Sequence, residues 1–194
     1  MERNRTPYRQ GELDGLCGVY AVVNVVHYLC GPLTQLQARR LFEELLEYLE
    51  ANRPLTTRIH EGTLPLEIGR MFTHVVMPRY PIARSKPFHC RKNLSLETFW
   101  GALEAFLEPS GRIVLSNVNG VYDHWTLIRA ASPRALLTFD SDGLHRLNRI
   151  FCMTGSEAEA LERESFDEQD GESPIQGVHH IFYPQFAFFL SLSE

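Results

Sequence analysis

The chain has 194 residues, of which 44% are hydrophobic and 22% are charged, and 19 basic against 24 acidic residues give it a formal net charge of −5 at pH 7. A chain of this length forms one domain or two small ones, and it buries enough apolar surface to fold without disulfide bonds. The negative charge argues against general nucleic-acid binding. No apolar run reaches the roughly 20 residues of a membrane-spanning helix, so we expect no membrane insertion.

The cysteines and the N-terminal sequence bear on the compartment. The four cysteines are widely spaced and form no CxxC pair: Cys17, Cys30, Cys90 and Cys152. This spacing indicates neither a zinc ribbon nor a disulfide scaffold, and we expect a reducing environment. The N-terminal sequence MERNRTPYRQ lacks the apolar segment of a Sec-type signal peptide. We therefore expect a cytoplasmic protein, or an effector exported by a Sec-independent route.

The first half of the sequence predicts helices. A compact apolar segment from Cys17 to Leu29 is followed by Gly31 and Pro32, which end it. Thr34 is a suitable N-cap for a second helix that runs until Pro54. The apolar spacing predicts two more helices, at residues 64–76 and 95–107.

The second half changes to strand-like patterns. Runs rich in β-branched and aromatic residues, separated by turn-forming pairs, lie at residues 112–118, 124–131, 135–141, 148–153 and 179–192. Helices followed by antiparallel strands predict one α+β domain over residues 1–194, with a helical N-terminal half packed on a C-terminal antiparallel sheet. We interpret the segment 157–173, with eight acidic residues and one arginine, as a solvated surface insertion.

Cys17 is the candidate nucleophile. It follows a Gly-containing turn and opens the apolar helix, where backbone N–H groups converge and the helix dipole favours a thiolate. Gln10, seven residues earlier, is a candidate side-chain donor to an oxyanion, with the Cys17 N–H as the second donor. We interpret the other three cysteines as structural residues.

His124 and a carboxylate form the second half of the candidate site. Residues 124–141 predict a hairpin that brings His124 opposite Asp140 or Asp142. Thiol catalysis needs a carboxylate that fixes the imidazole tautomer while the other ring nitrogen faces the sulfur. Asp140 follows Phe139 and an apolar strand, whereas Asp142 precedes Gly143 as in a turn. Asp140 is the favoured partner, and Asp142 remains open.

The order of these residues resembles the papain-like cysteine peptidase superfamily, with a Gln, a Cys at a helix start, a His followed by Trp, and an Asp after an apolar strand. The segment LCGVYAVVNVVHYL is similar to the nucleophile helix of the bacteriocin-processing peptidase domains of bacterial exporters. Josephin deubiquitinases also resemble the chain, although they generally use Asn as the third member. The resemblance implies a papain-like fold with Cys17 as nucleophile, His124 as general base, Asp140 as orienting acid and Gln10 as oxyanion-hole residue.

The same resemblance implies a function. We expect a bacterial-type thiol peptidase that cleaves a peptide, isopeptide or amide bond in a peptide or protein substrate, without metal or cofactor. One alternative keeps the same triad: an acyltransferase or transglutaminase-type enzyme that passes the acyl group to an amine. A second alternative is a Josephin-like deubiquitinase. A further alternative is a non-catalytic binding module on the same fold.

Overall fold

The structure, a computed structural model, describes residues 5–11, 14–51, 53–121, 123–167, 177 and 180–193. Within these ranges the helices are α1 (Cys17–Leu29), α2 (Gln35–Glu50), α3 (Leu55–Glu61), α4 (Pro65–Met71), which continues as a π-helical turn (Phe72–Val76), α5 (Leu96–Leu107) and α6 (Gly155–Asp167). The strands are β1 (Ile82–Ser85), β2 (Arg112–Gly120), β3 (His124–Ser132), β4 (Ala135–Thr138), β5 (Arg146–Asn148), β6 (Cys152–Thr154), β7 (His180–Phe182) and β8 (Phe188–Leu192). Short 3-10 turns lie at Arg149–Phe151 and Pro184–Phe186.

The strands form a single sheet around β2 and β3. Its order is β1-β8-β2-β3-β4-β5, with antiparallel neighbours throughout, and β7 pairs antiparallel with the far end of β2. β6 joins this sheet through a parallel pairing with β7. Of the described helices, none combines the length and the apolar character needed to cross a bilayer.

Apolar cores lie on both faces of the sheet because successive side chains of a strand point to opposite sides. On β2, Ile113 and Leu115 pack with α1, α2 and α4, whereas Val114 and Val118 pack with α5. Helix α1 therefore occupies one face of the sheet and α5 the other. The chain is an α+β protein.

Most of the predicted helices and strands are confirmed. α1 has the predicted bounds, Thr34 caps α2 with a reciprocal bond to Gln37, and the side chain of Ser95 caps α5. The division into a helical half and an antiparallel half is wrong in two respects: β1 comes from the N-terminal half, and β6 runs parallel to β7. The sequence left open which face each helix covers, and α5 covers the face opposite to α1. A strand of three or four residues carries too short a pattern to be recognised, and the face that a helix covers is not encoded in its own periodicity.

Part of the acidic segment 157–173 belongs to a helix and contributes hydrogen bonds to the fold. Its residues up to Asp167 belong to α6, and residues 168–173 lie outside the described residues. Glu157 accepts hydrogen bonds from the backbone N–H groups of Leu96 and Thr154, at 2.8 and 2.9 Å. It thus ties the start of α5 to the end of β6, whereas Glu159 and Glu162 are exposed, as expected of a solvated surface.

Thr63 connects the start of α1 to β3. A Cβ atom placed on Gly18 would lie 2.7 Å from Thr63 Cβ and 2.9 Å from Ile68 Cδ1, so only glycine allows this approach. The carbonyl oxygen of Thr63 accepts a 2.7 Å hydrogen bond from Trp125 Nε1. The residues next to Cys17 and His124, Gly18 and Trp125, are therefore held by the same threonine.

Replacing Gly18 by Ala is expected to lower the free energy of unfolding by about 1 to 3 kcal/mol, because the new methyl group overlaps the Cβ atom of Thr63, which no rotamer moves away. Gly101 in α5 is a matched control, since a Cβ atom there meets nothing within 4 Å. Gly101→Ala is expected to raise stability by up to about 1 kcal/mol. Urea unfolding followed by circular dichroism measures both variants, and equal effects would contradict this packing.

Candidate active site

His124 and Asp140 form a buried pair. His124 Nε2 and Asp140 Oδ2 are 2.7 Å apart, with 9% of the histidine side chain and 0% of the aspartate side chain exposed. The other ring nitrogen of His124, Nδ1, is left to face a further group. The pair is thus arranged as a histidine oriented by a carboxylate.

A β-bulge in the hairpin makes this pairing possible. Starting at the turn that joins them, β3 and β4 pair in a constant register from Ser132 with Ala135 to Ala130 with Leu137. The next pair is Ile128 with Thr138, so Arg129 is an extra residue on β3. Its Nε donates to the carbonyl oxygen of Thr138 at 3.2 Å. The register beyond this point is shifted by one residue.

The shift decides on which face Asp140 lies. Without the bulge, continued pairing would place Asp140 opposite Leu127, on the other face of the sheet from His124. With the bulge it is level with Thr126, which shares the face of His124. The predicted hairpin is confirmed, but Asp140 reaches His124 diagonally and is not directly opposite to it.

The loop after β4 is folded around the Asp140 carboxylate. Asp140 Oδ1 accepts hydrogen bonds from the backbone N–H groups of Asp142 at 2.8 Å and Leu144 at 3.1 Å. Burial alone would raise the pKa of Asp140, but the hydrogen bond and charge of His124 and the N–H of Asp142 lower it below its ordinary value. Gly143 adopts a φ of 88°, which closes the turn. Of the two candidate carboxylates, Asp140 binds His124, and Asp142 is exposed.

Cys17 lies at the first position of α1, where it interacts with His124. Its side chain is buried, and among the described residues no side chain caps the start of the helix. The first backbone N–H groups of a helix lack partners within it, so this end of α1 presents donors next to the sulfur. Burial by itself would lower the pKa of His124, but hydrogen bonds and charges of Asp140 and Cys17 raise it to about 10.

Gln10 belongs to an N-terminal segment that bridges α1 and the Asp140 loop. Its backbone N–H donates to the carbonyl oxygen of Ser141 at 3.1 Å. Its side-chain Nε2 donates to the carbonyl oxygen of Asp14 at 2.9 Å, and within the described residues its Oε1 is buried without a partner. The predicted oxyanion donor is therefore bonded to the loop that leads into Cys17, and the amide has a second N–H to offer.

Three residues that position the site were not identified as site residues from the sequence. Asn24 is fully buried in α1 and pairs with the backbone of Tyr8 in both directions, at 2.8 and 3.0 Å, which holds the segment that carries Gln10. Asp14 accepts hydrogen bonds from the N–H groups of Gly11 and Leu16. The third is Thr63. Only Asn24 leaves a sequence signal, as a single amide in an apolar helix.

The remaining cysteines differ from Cys17 in their surroundings. Burial raises the pKa of the Cys152 thiol to about 12, and this thiol donates to the carbonyl oxygen of Asn148. Burial also raises the pKa of Cys30, and Cys90 is exposed. All four cysteines are unpaired. Cys17 is the cysteine that contacts a histidine bonded to a carboxylate.

No protein-family model, curated protein or solved structure matches this chain. Across the part of the chain that the structure describes, no group of three or more His, Cys, Asp or Glu side chains is placed to hold a metal ion. What the site can do chemically therefore follows from its own geometry: a thiol at a helix start, a histidine with a raised pKa, and a buried carboxylate.

Proposed function

We propose that the chain is a thiol hydrolase of papain-like fold that cleaves a peptide, isopeptide or amide bond. The observation that carries this proposal is the buried series Cys17, His124 and Asp140. A nucleophile, a base and an orienting acid in this order are the requirement for acyl transfer through a covalent intermediate.

The reaction has two halves. The Cys17 thiolate attacks the substrate carbonyl carbon, and the oxyanion is stabilised by the Cys17 N–H and the Gln10 amide. Collapse of this adduct breaks the C–N bond, and the amine leaves with the proton of His124, which produces a thioester on Cys17. His124 then takes a proton from water, whose oxygen attacks the thioester. The acid product is released and the ion pair is restored.

Asp140 acts through His124. Its hydrogen bond to Nε2 directs Nδ1 toward Cys17 and stabilises the imidazolium. Its own bonds to the N–H groups of Asp142 and Leu144 keep the carboxylate in place while the ring exchanges protons. We therefore assign Asp140 to the orientation of the base.

Cys17→Ala is expected to reduce hydrolysis to the background rate with little change in stability, since only one sulfur atom is removed. The substrates are a mixed library of fluorogenic peptide amides and a ubiquitin-derived fluorogenic amide, which also tests the deubiquitinase alternative. Cys152→Ala is the matched control, because Cys152 is also buried but contacts a backbone carbonyl oxygen. Full hydrolysis by the Cys17→Ala protein would contradict the proposal.

Alkylation with iodoacetamide separates an enzyme from a binding module on the same fold. We expect Cys17 to react fastest of the four cysteines, and His124→Ala to slow this reaction by about 100-fold or more, because the side chain that exchanges a proton with the thiol is removed. Mass spectrometry of the digested protein assigns each modified site. Equally slow labelling of all four cysteines would favour the binding module.

The turnover rate is expected to fall as the pH rises toward 10, because His124 must carry a proton to protonate the leaving amine. In Asp140→Asn the same fall is expected at lower pH, since a negative charge that raises the pKa of His124 is lost. The pH profile of kcat for the best fluorogenic amide measures this. An alkaline limb that stays in place in the variant would show that Asp140 does not control His124.

A further inference from the structure

An exposed carboxylate lies next to the candidate triad, in the connection between β2 and β3. Asp123 immediately precedes His124, and its Oδ1 accepts a 3.1 Å hydrogen bond from Asn117 Nδ2. Asn117 is opposite Trp125 in the β2–β3 pairing and is only 9% exposed. The Asp123 carboxylate is therefore tethered to the sheet, although it is accessible from outside.

The tether places Asp123 on the same face of the sheet as α1. Side chains alternate along β2, so Asn117 points to the same side as Ile113 and Leu115, which pack in the core that includes α1. Asp123 also lies directly before His124, the first residue of β3. Because His124 interacts with Cys17, the carboxylate is one residue away from a member of the candidate triad.

The Asp123 carboxylate has no opposite charge beside it. Among the residues described, no cation lies within salt-bridge distance of it, and its Oδ1 accepts the hydrogen bond from Asn117. A cationic group of a bound molecule would supply the missing charge.

We infer that Asp123, held in place by Asn117, forms a subsite beside His124 for a cationic side chain of the substrate, a lysine or an arginine. An ammonium or guanidinium group offers several donors and no acceptor, which matches the carboxylate of Asp123. A charge-assisted bond to Asp123 would position the scissile carbonyl group relative to Cys17. This inference rests on the proposed function, because it concerns a substrate that acylates Cys17.

Small thiol reagents of different charge test the subsite without knowledge of the natural substrate. Cationic, anionic and neutral alkyl methanethiosulfonates each form a mixed disulfide with a thiolate and release methanesulfinate. We expect the ratio of the cationic to the anionic rate at Cys17, assigned by mass spectrometry, to fall by about fivefold at low ionic strength in Asp123→Asn. Asparagine retains the oxygen that accepts from Asn117, so the variant removes only the charge. Glu43→Gln, on the exposed side of α2, changes the net charge equally and is expected to leave the ratio unchanged.

The outcomes separate this inference from the proposed function. Fast reaction of Cys17 with the neutral reagent, combined with an unchanged charge ratio in Asp123→Asn, would overturn the subsite and leave the hydrolase intact. Slow reaction with the neutral reagent would overturn both. Fluorogenic peptides scanned with lysine or glutamine at each position give a second measurement. The lysine preference is expected to appear at one position and to disappear in Asp123→Asn, mainly through a higher KM, and its persistence in that variant would refute the subsite.

Discussion

The side chain of Asp140 is fully buried, and a buried carboxylate is stable only when hydrogen bonds and an opposite charge replace the water that it has lost. Asp140 obtains these from His124 and from two backbone N–H groups of its own loop. The His124 ring is fixed in turn, because Asp140 holds one of its nitrogen atoms. The pKa values follow from this arrangement: that of Asp140 is lowered, and that of His124 is raised to about 10.

Other parts of the fold bring Cys17 to this pair. The N-terminal segment is anchored to α1 by Asn24 and to the Asp140 loop by the bond from Gln10 to Ser141, so it joins the two halves of the site. On the other side, Thr63 contacts Gly18 and accepts a hydrogen bond from Trp125. Each of these contacts joins a residue near Cys17 to one near His124 or Asp140. Cys17 and His124 are thereby positioned by packing on two sides.

The elements that bear the site could be predicted because they have strong local signals. An apolar run ended by Gly31 and Pro32 gave the bounds of α1, and two strand patterns joined by a short turn gave the β3–β4 hairpin. Both directly identify the region in which the candidate residues lie. Asp140 and Asp142 were separable because only one of them follows an apolar strand without a turn signal.

The positioning contacts could not be predicted, since they depend on pairs of residues far apart in the chain. Nothing in the local sequence marks Arg129 as the extra residue of a bulge, yet the bulge determines the face on which Asp140 lies. Thr63 has no distinguishing local sequence, because its contacts with Gly18 and Trp125 depend on how α1 and β3 pack. The same holds for the Asn117–Asp123 bond, which joins a strand to the loop that follows it.

The central claim is that a buried imidazolium is held between Cys17 and Asp140, and the protonation state of His124 tests it most directly. Nitrogen chemical shifts of the His124 ring, followed by NMR as a function of pH in the protein labelled with 15N at histidine, report this state. The account predicts that both ring nitrogens remain protonated through neutral pH and that the ring titrates near pH 10. A neutral ring with one protonated nitrogen at pH 7, titrating near the ordinary histidine value, would contradict it.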